Sequence, residues 1–184
     1  FGYEHVPFAI EPDYPGRVEI YRRPNPSSAF VHAHTLENPT GSDRSGFGMS
    51  LSFASDYLLV GAPFATVFGV PEAGAAFLYR YRTNPPSFTR IATFLPPSPT
   101  PYSHFGWSVA ATRHDGVFIG WPKFNNGEGR VAHFTDQGVI DWKLARIFSP
   151  NDLNLPNEVH VRHFGASVAT MPDDGNILAV GAPG

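Results

Sequence analysis

The chain has 184 residues, 42% of them hydrophobic and only 16% charged, with a formal charge of −3. That length suits one domain or part of one, and nothing in the charge points to a nucleic-acid partner. Gly and Pro together fill a fifth of the positions and Phe occurs 16 times, which excludes a disordered chain, poor in aromatics, and a helical bundle, poor in Gly and Pro.

In chain order, the first predicted strand is Gly16-Arg17-Val18-Glu19-Ile20-Tyr21, and a looser one covers 30–36. Next comes Ser45-Gly46-Phe47-Gly48-Met49-Ser50-Leu51, then Leu58-Leu59-Val60-Gly61-Ala62-Pro63. The four elements then return. Gly74-Ala75-Ala76-Phe77-Leu78-Tyr79 repeats the first and 88–95 the second. Ser103-His104-Phe105-Gly106-Trp107-Ser108-Val109 repeats the third and Val117-Phe118-Ile119-Gly120-Trp121-Pro122 the fourth. A further round reads Gly129-Arg130-Val131-Ala132-His133-Phe134, 142–148, Arg162-His163-Phe164-Gly165-Ala166-Ser167-Val168 and Leu178-Ala179-Val180-Gly181-Ala182-Pro183. The Phe-Gly phenylalanines are 58 and 59 residues apart, and the glycines of the last element 59 and 61.

Each element is short, rich in Val, Ile, Leu, Phe and Tyr, and bounded by Gly, Pro, Asn or Asp, which is a strand signature. No useful window carries a sustained helical stripe. The expected fold is all-β: a four-strand antiparallel unit repeated about every 60 residues, as in the blades of a β-propeller. Taken by the order of these elements within each unit, the chain divides into a half blade (1–36), two blades (45–95 and 103–148) and a second half blade (162–184). The repeated Gly and Ala are expected where neighbouring blades converge, and the aromatics where they diverge.

Phe-Gly followed at a fixed distance by Gly-Ala-Pro resembles the FG-GAP repeat of integrin α-chain β-propellers. The middle copy departs from it, with Trp121 in place of Ala. The resemblance implies an extracellular or cell-surface adhesion module, non-enzymatic, that binds a protein partner on one loop face. Many such blades bind calcium between their first and second strands, a site needing several spaced carboxylates. Here those loops offer only Asp56, Asp115, and Asp173 with Asp174, so tight turns are expected and no metal, with Asp173 and Asp174 the weak exception.

The eight histidines select no catalytic or metal site. His104 and His163 share one repeat position, before Phe-Gly, but in different blades. His133 replaces Ile20 and Leu78 and reads as a packed strand residue. His32 and His34 lie two apart and are expected to share a strand face, without an evident third ligand; His160, near His163, is no better placed. No nucleophile elbow, phosphate loop or zinc-protease motif is present, so no enzyme and no cofactor are expected. The absence of cysteine excludes disulfides, iron–sulfur clusters and thiol catalysis. The Pro-rich tract at 96–101 reads as a stiff connection between blades, with O-glycosylation or partner docking as alternatives. Asn25 and Asn38 are followed by Pro, which removes the only apparent sequons.

In an antiparallel blade the connections between second and third strands emerge on the same side as those from a fourth strand to the next first strand. Both sets are long here, and loops on a rigid scaffold carry function disproportionately. The aromatic candidates on that face are Phe8, Tyr14, Phe64, Phe68, Tyr102, Trp121 and Phe124. Trp121, Phe124, Asn125 and Asn126 form the most lectin-like group, so a glycan is the alternative ligand to a protein. The longest apolar stretch, residues 58–70, contains Gly61, Pro63 and Gly69 and is too short for a membrane span. The chain begins at Phe1 and shows no signal peptide, and reads as a processed product, an excised segment or a stretch of something longer. Three blade equivalents are too few to close a ring. Two completions are expected: a longer propeller chain, or neighbouring copies of the same chain.

Overall fold

The computed structural model describes residues 16–42, 44–113, 116–138, 140–153, 161–171 and 176–184. The fold is all-β. Strands β1 (Arg17–Arg22) and β2 (Val31–Glu37) form a two-stranded antiparallel sheet. Strands β3 (Ser50–Ala54), β4 (Tyr57–Ala62), β5 (Ala75–Thr83) and β6 (Pro86–Phe94) form a four-stranded antiparallel sheet in sequential order. A second four-stranded sheet repeats that order with β7 (Ser108–Ala111), β8 (Val117–Trp121), β9 (Arg130–Asp136) and β10 (Trp142–Phe148). Strands β11 (Ser167–Thr170) and β12 (Leu178–Gly181) make the last pair. Helical residues are few among those described: a 3-10 turn spans Pro150–Asp152, and the turn Phe124–Gly127 is interrupted by left-handed backbone at Asn125 and Asn126. No helix there is long and apolar enough to cross a membrane.

The repeat extends to irregularities. Each of β1, β5 and β9 begins just after a glycine, and each is out of step with its hairpin partner at the same point, four to five residues on: Ile20/Tyr21, Leu78/Tyr79 and His133/Phe134. A bulge adds one residue to one strand and swaps faces beyond it. In β2 the extra residue is Ala33, since Ile20 faces His34 and Tyr21 faces His32. The expectation that His32 and His34 share a face is therefore corrected. His32 turns to Glu19 (2.7 Å), and His34 packs edge-on against Phe88 of the next sheet. The Glu19 carboxylate also accepts from the Thr35 hydroxyl at 2.7 Å and pairs with Arg17 at 2.9 Å. Thr35 and then His32 hold its pKa below the ordinary carboxylate value.

Successive sheets pack face to face. One core joins Leu59, Ala76, Leu78 and Phe94 of the first four-stranded sheet to Phe105, Val109, Ile119, Ala132 and Phe134 of the second. A second core joins Val18 and Leu36 to Phe47, Leu58, Val60, Phe77 and Tyr79. A third joins Ala110, Phe118 and Val131 to Phe164, with Val168, Leu178 and Val180 against it.

Glycine sets how closely the sheets approach. A Cβ on Gly61 would stand 2.1 Å from the Gly106 carbonyl oxygen, and one on Gly120 would stand 2.1 Å from that of Gly165. Real Cβ contacts are never that short, so the Gly-Ala-Pro glycine of one sheet must be glycine to admit the Phe-Gly backbone of the next. A serine secures each approach: the Ser50 hydroxyl donates to Gly106 O (2.9 Å) and the Ser108 hydroxyl to Gly165 O (2.7 Å).

Candidate functional site

The connections β4–β5 and β8–β9 run beside the segments that lead into the next sheet. Tyr102 N–H donates to Pro71 O, His104 N–H to Glu72 O and Phe105 N–H to Ala73 O; His163 and Phe164 bond Gly127 and Glu128 in the same way. These loops thus form one surface at one end of the sheets, and the aromatic candidates can be placed on it.

Phe68 is the most exposed, at 83%. It stands at the tip of a tight turn in which Val67 N–H bonds Val70 O (3.1 Å) and Val70 N–H bonds Val67 O (2.9 Å). Phe68 and Gly69 have φ of 51° and 80°, the geometry of a type I′ turn, which favours Asn-Gly and strains a side chain as large as Phe. Phe68→Asn is expected to raise stability by about 1 kcal/mol by removing that strain. Urea unfolding checks it, and a loss of stability would mean that the Phe68 ring makes a compensating contact.

Tyr102, Asn125 and Asn126 come together. With Lys123 and His163 they wall a cleft of about 490 Å³. Tyr102 is exposed, and all three have positive φ: 58°, 52° and 57°. Asn125 donates from its side-chain amide to the Glu128 carboxylate. Phe124, half-buried, has Arg130 over one face at 4.4 Å and Trp121 against it at 4.1 Å.

Trp121 itself is fully buried, edge-on to Phe105. It is a core residue, and its ring offers no platform to a ligand. Phe64 is half-buried and meets His104 at 5.1 Å and Trp107 at 6.1 Å. His104 stacks on Trp107 and reaches Glu72 at 3.0 Å. The Phe64–His104–Trp107–Glu72 cluster escaped sequence reasoning, which saw only the recurrence of His before Phe-Gly. His163 repeats the positive φ of His104, 55° against 58°.

Phe8 and Tyr14, the connection 4–15, His160, and Asp115, Asp173 and Asp174 lie outside the described residues. Asp56 is described. Its carboxylate pairs with Arg80 at 2.8 Å, and its backbone carbonyl accepts from Tyr81 N–H. His133 stacks on Phe118 at 4.2 Å. Among the described residues no group of three or more His, Asp or Glu side chains could hold a metal ion.

The chain matches no protein-family model and no curated protein.

Proposed function

We propose that this chain is a non-enzymatic, extracellular interaction module of FG-GAP-type β-propeller blades that binds a protein partner through the loop face carrying Phe68 and Tyr102. The propeller reading is supported by the repeated four-strand order, the recurring bulge and the glycine-on-carbonyl contacts between successive sheets. The observation that carries the functional reading is a concentration of strain. Nine described non-glycine residues have positive φ, and seven of them (Phe68, Glu72, Tyr102, His104, Asn125, Asn126 and His163) lie in the loops of that one face. Such conformations cost stability and gather where function needs them. Two of the seven hold large aromatic rings out in solvent, and aromatic rings are frequent anchors of protein interfaces.

A glycan in the Tyr102 cleft is the second reading, favoured by an exposed ring beside the amides of Asn125 and Asn126. Adhesion of cells to a surface coated with the chain separates the two. The protein reading expects binding that protease treatment of the cells abolishes, glycosidase treatment spares, and the Phe68→Ser/Tyr102→Ser pair largely removes. Binding competed by free sugar would favour the glycan, and undiminished binding by the double variant would rule out this face.

A further inference from the structure

Strands β1 and β12 each have one neighbour in their sheets among the described residues: β1 pairs only with β2, and β12 only with β11. In the complete sheets the corresponding strands pair with each other. Gly61 of β4 faces Ala76 of β5, and Gly120 of β8 faces Val131 of β9, each partner lying two residues past the glycine that precedes its strand. We propose that β12 of one copy of this chain pairs antiparallel with β1 of a second copy, in that same register, completing a four-stranded sheet across the junction. Gly181 then faces Val18, Ala179 faces Ile20 and Leu178 faces Tyr21.

Three observations favour a second copy as the occupant. The first is what stands uncovered. In the described packing, β7 lies across β3 and β4, and β11 across β7 and β8. By the same rule β3 should itself lie across the first two strands of a preceding sheet, and among the described residues nothing fills that face: its Leu51 and Phe53 are 50% and 58% exposed, whereas their counterparts Val109 and Ala111 are buried. Strands β11 and β12 of the other copy supply that cover. Tyr21 is likewise 56% exposed where Tyr79 and Phe134 are buried. In the junction it would enter the other copy's groove of about 450 Å³, lined by Phe148, Phe164, Leu178 and Val180.

The second observation is complementarity of size. Large Leu59 shares its core with small Ala111 and with Val109. At the open junction the sizes are exchanged: exposed Ala179 stands where Leu59 would, opposite large Leu51 and Phe53. Close-packed interiors require such matching. The third is polar. Ser167 stands against Gly181 as Ser50 does against Gly61 and Ser108 against Gly120. In the junction its hydroxyl meets the Gly48 carbonyl of the second copy, as Ser50 meets Gly106. Glu19 takes the place of Phe77 and Ala132, and enters already engaged with Arg17, His32 and Thr35.

The pairing rests on the edges alone; the number of copies rests on the propeller reading. Each copy carries three sheet equivalents, so two copies joined at both junctions make six, within the four to eight of closed propellers. The expected result for the 184-residue polypeptide in light scattering is twice the mass of one chain. The chain has no native cysteine, so Ile20→Cys with Ala179→Cys tests the register. Paired residues across antiparallel strands lie within disulfide reach. Oxidation should give a covalent two-copy species, which the control Glu19→Cys with Ala179→Cys does not, since Glu19 projects to the other face. Ala179→Arg, at an exposed position of the single chain, should halve the mass while leaving circular dichroism unchanged. A monomeric parent chain without in-register cross-linking would overturn the proposal and leave both edges to strands from outside these 184 residues. In-register cross-linking that yields a ladder of higher species would uphold the pairing and overturn the six-sheet ring.

Discussion

Trp121→Ala restores the Gly-Ala-Pro pattern of the other repeats, yet it is expected to destabilise the chain by about 3–5 kcal/mol. For a chain of this length that lowers Tm by roughly 6–20 °C. The indole is fully buried, packs edge-on to Phe105 at 5.7 Å and supports Phe124, which in turn carries Arg130. Truncation opens a large cavity and leaves the Phe124–Arg130 stack without a floor. Trp121→Phe should cost less, because it keeps an aromatic ring there and deletes an indole N–H that has no hydrogen-bond partner among the described residues. Urea unfolding of the two variants decides the matter. A loss under about 1 kcal/mol in Trp121→Ala would mean that the neighbours close over the gap.

Gly120→Ala should be comparably severe, at about 3 kcal/mol or more. Its added methyl would meet the Gly165 carbonyl oxygen and the Ser108 hydroxyl, each at 2.1 Å. The first is backbone of the neighbouring sheet, so relief requires the sheets to separate and the Ser108–Gly165 hydrogen bond to break. Gly69→Ala is the matched control. Nothing stands within 4 Å of its added methyl, and only its φ of 80° opposes the change, which costs about 1 kcal/mol. Equal losses in the two variants would show that the close approach of the sheets contributes little to stability.

The strand order was readable in the sequence because its markers are steric necessities. The glycines at 61, 106, 120 and 165 cannot be replaced without moving backbone, so the repeat survives in them while side chains around them vary. The loop face was legible only in outline. Trp121 read as a surface aromatic because its position gave no sign of which neighbours would enclose it; Phe105 lies sixteen residues earlier and Phe124 beyond a proline. Alternation alone puts His32 and His34 on one face, because the bulge that separates them leaves no mark in it. Phe68-Gly69 imitates the repeated Phe-Gly pair, but its role is set by the two hydrogen bonds between Val67 and Val70. Dipeptide identity does not distinguish a sheet contact from a turn.

The exchange of sizes between Leu59 and Ala179 bears on how such a chain can change length. Tandem repeats invite recombination that adds or removes a unit. Duplicating the sheet β3–β6 would set Leu59 of one copy against Leu51 and Phe53 of the next, where the proposed junction has Ala179. Overfilling of that kind costs about 1–3 kcal/mol at each new contact. The sheets are alike in backbone yet not interchangeable as neighbours, so each side-chain surface records which sheet it must follow.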